Sequence, residues 1–210
     1  MATPDVNMKP PPPQLTQRWI RYLLGFGVSV AIGLAPYLGK VHLPLFSPLL
    51  SLIPKSLQDT VLPLSSAFMG IVAVAVQWYG GETVTDAWLR RAFTSALVLI
   101  LALLLILAIV HKRVVAVVPF SGGSEFESFT IGFGRPNKPP CVDLAPAACI
   151  SDHLTFNPIR IETYFGSNQV FYGEIVLELL YLLFTGCFGV LVAILLLRDE
   201  KEKHNALPPS

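Results

Sequence analysis

Charge is scarce in this chain, and it is missing in blocks. Asp, Glu, Lys and Arg make up 14% of 210 residues, against about 25% in ordinary soluble domains. None of them occurs in Tyr22–Gly39, Thr60–Gly81, Ala92–Val110 or Leu179–Leu197, runs of 18, 22, 19 and 19 residues. As helix, each run approaches or exceeds the ~30 Å hydrocarbon core of a bilayer. All 15 basic and 14 acidic residues lie outside these runs. That concentration fits a multi-pass membrane protein with ordinary polar connections, not a greasy globular domain.

Other absences narrow the field further. The net charge is only +1, so there is no electrostatic footprint for nucleic acid, and none is expected as a partner. The first apolar stretch starts near Trp19, is too long for a signal-peptide core, and has no Ala-x-Ala-like cleavage site after it; it is expected to stay in the mature protein. No Gly-Lys-Ser/Thr phosphate loop, Gly-x-Ser-x-Gly, His-Glu-x-x-His or Cys-x-x-Cys occurs. The expectation is therefore of no enzyme, no cofactor and no metal. Ionisable groups are missing from the middle of the first three apolar runs, which argues against a pump or ion-coupled carrier. Asn-x-Ser/Thr is absent too, which is more natural for a bacterial protein.

What is present orders the chain. Residues 1–17 form a Pro-rich tail, with Pro10–Pro13 favouring polyproline II, and can bury little. Residues 18–111 hold transmembrane helices one to three, with aromatic anchors at Trp19, Tyr22, Tyr37, Trp78 and Trp88. Between the first two, residues 42–63 are apolar but broken by Pro44, Pro48, Pro54 and Pro63. They are expected to lie along the membrane surface, with a re-entrant hairpin as the alternative. The short link after Trp78-Tyr79-Gly80-Gly81 makes spans two and three antiparallel neighbours. Residues 112–173 are a polar connection with β-branched Val114–Val118, a period of two over Phe129, Ile131 and Phe133, and the turn dipeptide Asn157-Pro158. Residues 174–197 form a fourth span, and 198–210 a tail. The fold class expected is thus an all-α polytopic membrane protein: four transmembrane helices, with a small β-rich or irregular extracytoplasmic domain between helices three and four.

Orientation rests on two signals. Near the span ends, eight Lys or Arg lie on the side of the termini and five on the other, which puts both termini in the cytoplasm. Cys141 and Cys149 lie together in the large connection, with Pro146 to turn the loop between them. A disulfide is useful in a small domain outside the cytoplasm, and the alternative is two free thiols inside. The localisation expected is a bacterial inner membrane. Four spans with a cysteine-bearing third connection are similar in outline to tetraspanins, but their Cys-Cys-Gly motif is absent, and nothing of that family is carried onto this chain.

Candidate sites are few. Gly25, Ser29 and Gly33 recur every four residues on span one, as do Thr185, Gly189 and Ala193 on span four. Such small-residue faces let helix backbones approach closely in lipid. Glu178, one turn inside span four beyond Glu174, and His153, beside Asp152, are the possible functional polar residues. The leading reading is a non-enzymatic membrane module whose extracytoplasmic domain docks or senses a partner. Its surroundings would be the lipid bilayer and a protein partner or a second copy of itself. An oligomeric pore-forming effector comes second, and a membrane enzyme third.

The threading is directly testable. Protease added to sealed spheroplasts should cut within residues 112–173 and spare tags on both tails; loss of either tail tag would overturn the orientation.

Overall fold

The structure is a computed structural model that describes residues 20, 22–31, 53–80, 84–119 and 126–206. In chain order its elements are α1 (Tyr22–Ala31), α2 (Lys55–Gly80), α3 (Asp86–Val114), β1 (Val115–Pro119), β2 (Phe126–Thr130), α4 (Pro146–Cys149), a π-helical turn (Ile150–Leu154), α5 (Pro158–Phe165) and α6 (Ser167–Ala206). It is mostly helical. Three helices are long and apolar enough to cross a membrane, over Leu57–Gly80, Asp86–Val114 and Ser167–Asp199.

The expected first span is described only in part. The ten residues of α1 make ~15 Å of helix, half the hydrocarbon thickness. The rest of 18–38, including Gly33, lies outside the described residues, as does the connector from 42 to 52. The connector does not run to residue 63 as expected, because α2 already begins at Lys55 and carries Pro63 within it. Pro63 cannot donate to the Asp59 carbonyl one turn earlier. Asp59 is exposed among the polar residues that open this helix, where that carbonyl can be hydrated. Just beyond, Ser65 Oγ donates to the Leu62 carbonyl (2.9 Å) and Ser66 Oγ to the Pro63 carbonyl (2.8 Å), so neither hydroxyl is left bare.

The link between α2 and α3 also behaves differently from expectation. These helices are consecutive, yet their backbones barely approach each other; each packs instead along α6. The cause lies in side-chain size. On α6, Gly189 sits against Met69 of α2, Gly186 against the Phe68 ring, and Ala193 is fully buried. Gly70 of α2 in turn receives Phe26 and Val30 of α1. Close approach lets dispersion act where hydrophobicity provides no drive.

Helix four is longer than its charge-free run. α6 starts at Ser167, not at 174, and continues past Leu197 to Ala206, 40 residues in all. A charge-free window measures depth in lipid, and a helix ends only where its backbone bonds end. Residues 198–206, expected as tail, are mostly good helix formers: Arg198, Glu200, Lys201, Glu202, Lys203 and Ala206. Near this end Lys201 Nζ lies 3.0 Å from Asp86 Oδ1 in the first turn of α3.

The connection between α3 and α6 is not β-rich. It holds one antiparallel two-stranded ribbon, with Val115 opposite Thr130 and Pro119 opposite Phe126, and the rest is short helices and turns. The period of two ends at Thr130, before Phe133. Asn157-Pro158 starts α5 rather than a turn: Asn157 Oδ1 accepts from the Ile159 amide (3.0 Å), and Pro158 fills the first helical position.

A substitution pair tests the packing. Leucine at Gly189 must displace the Met69 backbone, whereas nothing lies within 4 Å of a Cβ at Gly27. Gly189→Leu should cost about 1–3 kcal/mol, lowering the melting temperature in detergent by roughly 2–10 °C. Gly27→Leu should leave it unchanged.

Candidate functional site

The connection folds as a cap with a core of its own. Ala116 and Val118 of β1, Ile131, Cys141, Cys149, Ile150, Leu154, Ile161, Phe165 and Val170 of α6 form one buried cluster. Cys141 and Cys149 are joined as a disulfide, and neither is exposed at all. The expected pairing therefore lies at the centre of the cap, not on a surface loop. Beside it the chain turns sharply: Thr155 and Phe156 both take left-handed backbone angles (φ 49° and 57°). Phe156 sets its ring 6.1 Å from that of Phe129, holding the turn onto the ribbon.

Three glycines seat the cap on the bundle. Gly132 (φ 73°) runs against the Gln169 carbonyl, Gly134 against the Gln169 side chain, and Gly173 against Val114 and the Gly132 backbone. A Cβ at any of them would strike these atoms, so the strand exit and the start of α6 meet backbone to backbone, with the Val114 side chain at the end of α3 packed onto Gly173. Sequence reasoning missed this seat. Its trace was Gly132-Phe133-Gly134 directly after the alternating strand residues, a pattern that marks close backbone approach.

The two polar candidates stand apart. His153 is on the exposed side of the π-helical turn, next to Asp152, whose carboxylate accepts a 2.7 Å bond from Ser151 Oγ. Glu178 is half-buried where α2, α3 and α6 converge, beside a cleft of about 10 Å³ lined by Leu57, Val61, Leu107 and Tyr181 among others. That volume is of the order of one water molecule. It can hydrate the carboxylate but not admit an organic substrate. Among the described residues, no group of three His, Cys, Asp or Glu side chains is placed to hold a metal ion.

Among the described residues, the small-residue positions are buried. Gly25 and Ser29 are buried on α1 while Leu24, Phe26 and Val28 are exposed. Gly25 faces the Gln77 side chain of α2. Thr185 is buried and returns its hydroxyl to the carbonyls of Tyr181 and Leu182, both at 3.0 Å. A buried polar pair went unnoticed in the sequence: Ser29 Oγ and Gln77 Oε1 have no hydrogen-bond partner among the described residues. Comparison with family models, curated proteins and solved structures finds no match. What the cap does must be argued from the chain alone.

The disulfide has a measurable share in the cap. Its loop is short, so a Cys141→Ser, Cys149→Ser protein should lose somewhat under ~3 kcal/mol of cap stability. Limited proteolysis should cut residues 126–165 several-fold faster, with helical circular dichroism nearly unchanged. Cleavage at the parent rate would mean that the apolar cluster holds the cap unaided.

Proposed function

We propose that the chain is a non-enzymatic module of a bacterial inner membrane, with four spans, both termini in the cytoplasm, and an extracytoplasmic cap that docks or senses a protein partner. One observation carries this reading: the cap core and the bundle share α6. Val170 belongs to the cap cluster, while Leu177, Tyr181 and Phe184, further along the same helix, belong to the bundle cluster. A load on the cap is thereby borne by a membrane-crossing helix without any intervening linker.

The outer face of the ribbon suits a partner. Side chains opposite one another in an antiparallel pair share a face, and the face away from the cap core carries Val117, Pro119 and Phe126. Phe126 is 63% exposed. Apolar groups gathered on the outside of a small polar domain are the usual substance of a contact surface.

Photo-crosslinking in intact cells tests this reading. A photoreactive residue at Phe126 should capture a discrete second protein, whereas one at lipid-facing Leu101 should capture lipid. Adducts with lipid alone at Phe126, or ion conductance by the purified protein in liposomes, would overturn docking in favour of the pore reading.

A further inference from the structure

We infer that Phe133 of the cap, with Phe171 and Tyr172 at the start of α6, forms a foot set into the headgroup boundary of the bilayer, so that a phospholipid surface is a direct partner of the cap. The inference rests on reading α3 and α6 as membrane-spanning. It is independent of which leaflet faces the cytoplasm and of what docks on the ribbon.

Depth is read from α3. Its charge-free run Ala92–Val110 has 19 residues, ~29 Å as helix, which matches the hydrocarbon thickness. Lys112 and Arg113, both exposed, therefore stand at headgroup level at the cap end. Val114 follows at once, and its side chain packs onto Gly173 of α6. The Gly132 Cα lies 3.0 Å from where a Cβ on that same glycine would stand. Phe133 is the next residue, its Cα about 3.8 Å from that of Gly132. Phe171 and Tyr172 immediately precede Gly173, so all three aromatics are held close to one level.

The three also share a side of the molecule. Gly132 and Gly134 abut Gln169, and Tyr172 follows Gln169 by three residues, hence ~60° round α6 and ~4.5 Å toward the bundle. Leu179 and Leu183 follow Tyr172 by seven and eleven residues, each within ~20° of it. Both leucines are exposed on an apolar helix, which makes this the face that α6 turns to lipid. Phe171 stands ~100° further round, its ring 6.1 Å from that of Tyr172, and still away from the buried Val170, Gly173 and Leu177. Phe133, Phe171 and Tyr172 are 56%, 57% and 62% exposed. Rings so bare are poorly placed in water, but suit the boundary where apolar bodies meet acyl chains and ring edges meet headgroups. The foot thus continues the lipid face of α6 upward onto the cap, and a soluble protein could reach it only through the headgroup layer.

The test uses the full chain with Trp19→Phe, Trp78→Phe and Trp88→Phe in phosphatidylcholine vesicles, and returns a single tryptophan as Phe133→Trp or as Phe126→Trp. Phosphatidylcholine brominated at the headgroup end of its chains should quench Phe133→Trp several-fold more strongly than Phe126→Trp, which sits at the far end of the ribbon. Aqueous iodide should show the reverse order. Equal lipid quenching of the two variants, or none of Phe133→Trp, would overturn the foot. A photoreactive residue at Phe133 in the otherwise unaltered chain reads the same contact without removing any tryptophan. Lipid adducts there support the foot, and adducts with protein alone, whether a second copy or another chain, overturn it. Release of the parent protein by alkaline carbonate is a separate result, and would overturn the membrane reading beneath the inference.

Discussion

Everything described here hangs on one continuous helix. α6 gives Val170 to the cap cluster, Leu177, Tyr181 and Phe184 to the cluster at the head of the bundle, and Ile194 and Leu197 to a third cluster with Leu89 of α3. Neither α2 nor α3 could settle by packing on the other, since their backbones scarcely meet. Each finds its place by lying along α6, and α1 then lies along α2. The arrangement works because α6 alternates bulk with gaps. Tyr181 and Phe184 fill the wide upper part, while Gly186, Gly189 and Ala193 allow α2 to come close lower down.

For helices long and apolar enough to cross a membrane, that economy matters. Apolar side chains gain little by leaving hydrocarbon for each other, so what separates one helix arrangement from another is fit and the satisfaction of polar atoms. Ser65, Ser66 and Thr185 meet the second requirement locally by bonding back to carbonyls of their own helices. Ser29 and Gln77 do not, and they lie on opposing helices at the α1–α2 contact. Buried polar atoms without partners among the described residues are costly in an apolar medium, and Thr130 Oγ1 of the ribbon is a further such atom.

The three helices long and apolar enough to cross a membrane were legible because their signal is chemical, an absence of charge over some twenty residues. Gly25 and Ser29, and Thr185, Gly189 and Ala193, recur every four residues, and each of them is buried. Helix ends were harder to see. Lys55–Leu62 and Ser167–Gly173 are polar or mixed, and only the unbroken backbone ladder shows that they extend α2 and α6. The cap was misread where one dipeptide serves two purposes. Asn157-Pro158 can turn a chain or start a helix; Ile161 and Phe165 reach the disulfide core while Ile159, which a strand would set on the same face, stays exposed, as helical spacing requires. The seat made by Gly132, Gly134 and Gly173 joins segments distant in sequence: Gly132-Phe133-Gly134 signals a close approach, but no local pattern names what approaches.

The unbroken passage of α6 from cap to bundle has a geometric corollary. A residue inserted or removed between Val170 and Leu177 would swing the cap by ~100° about the helix axis and shift it by ~1.5 Å. The seat of the three glycines on Gln169 and Val114 would then face the wrong way. A change of seven residues nearly restores the azimuth, but it displaces the cap by ~10 Å along the axis. The interval between these two residues therefore acts as a phase angle, and chains built on this plan can vary freely in loop length while this one count stays the same.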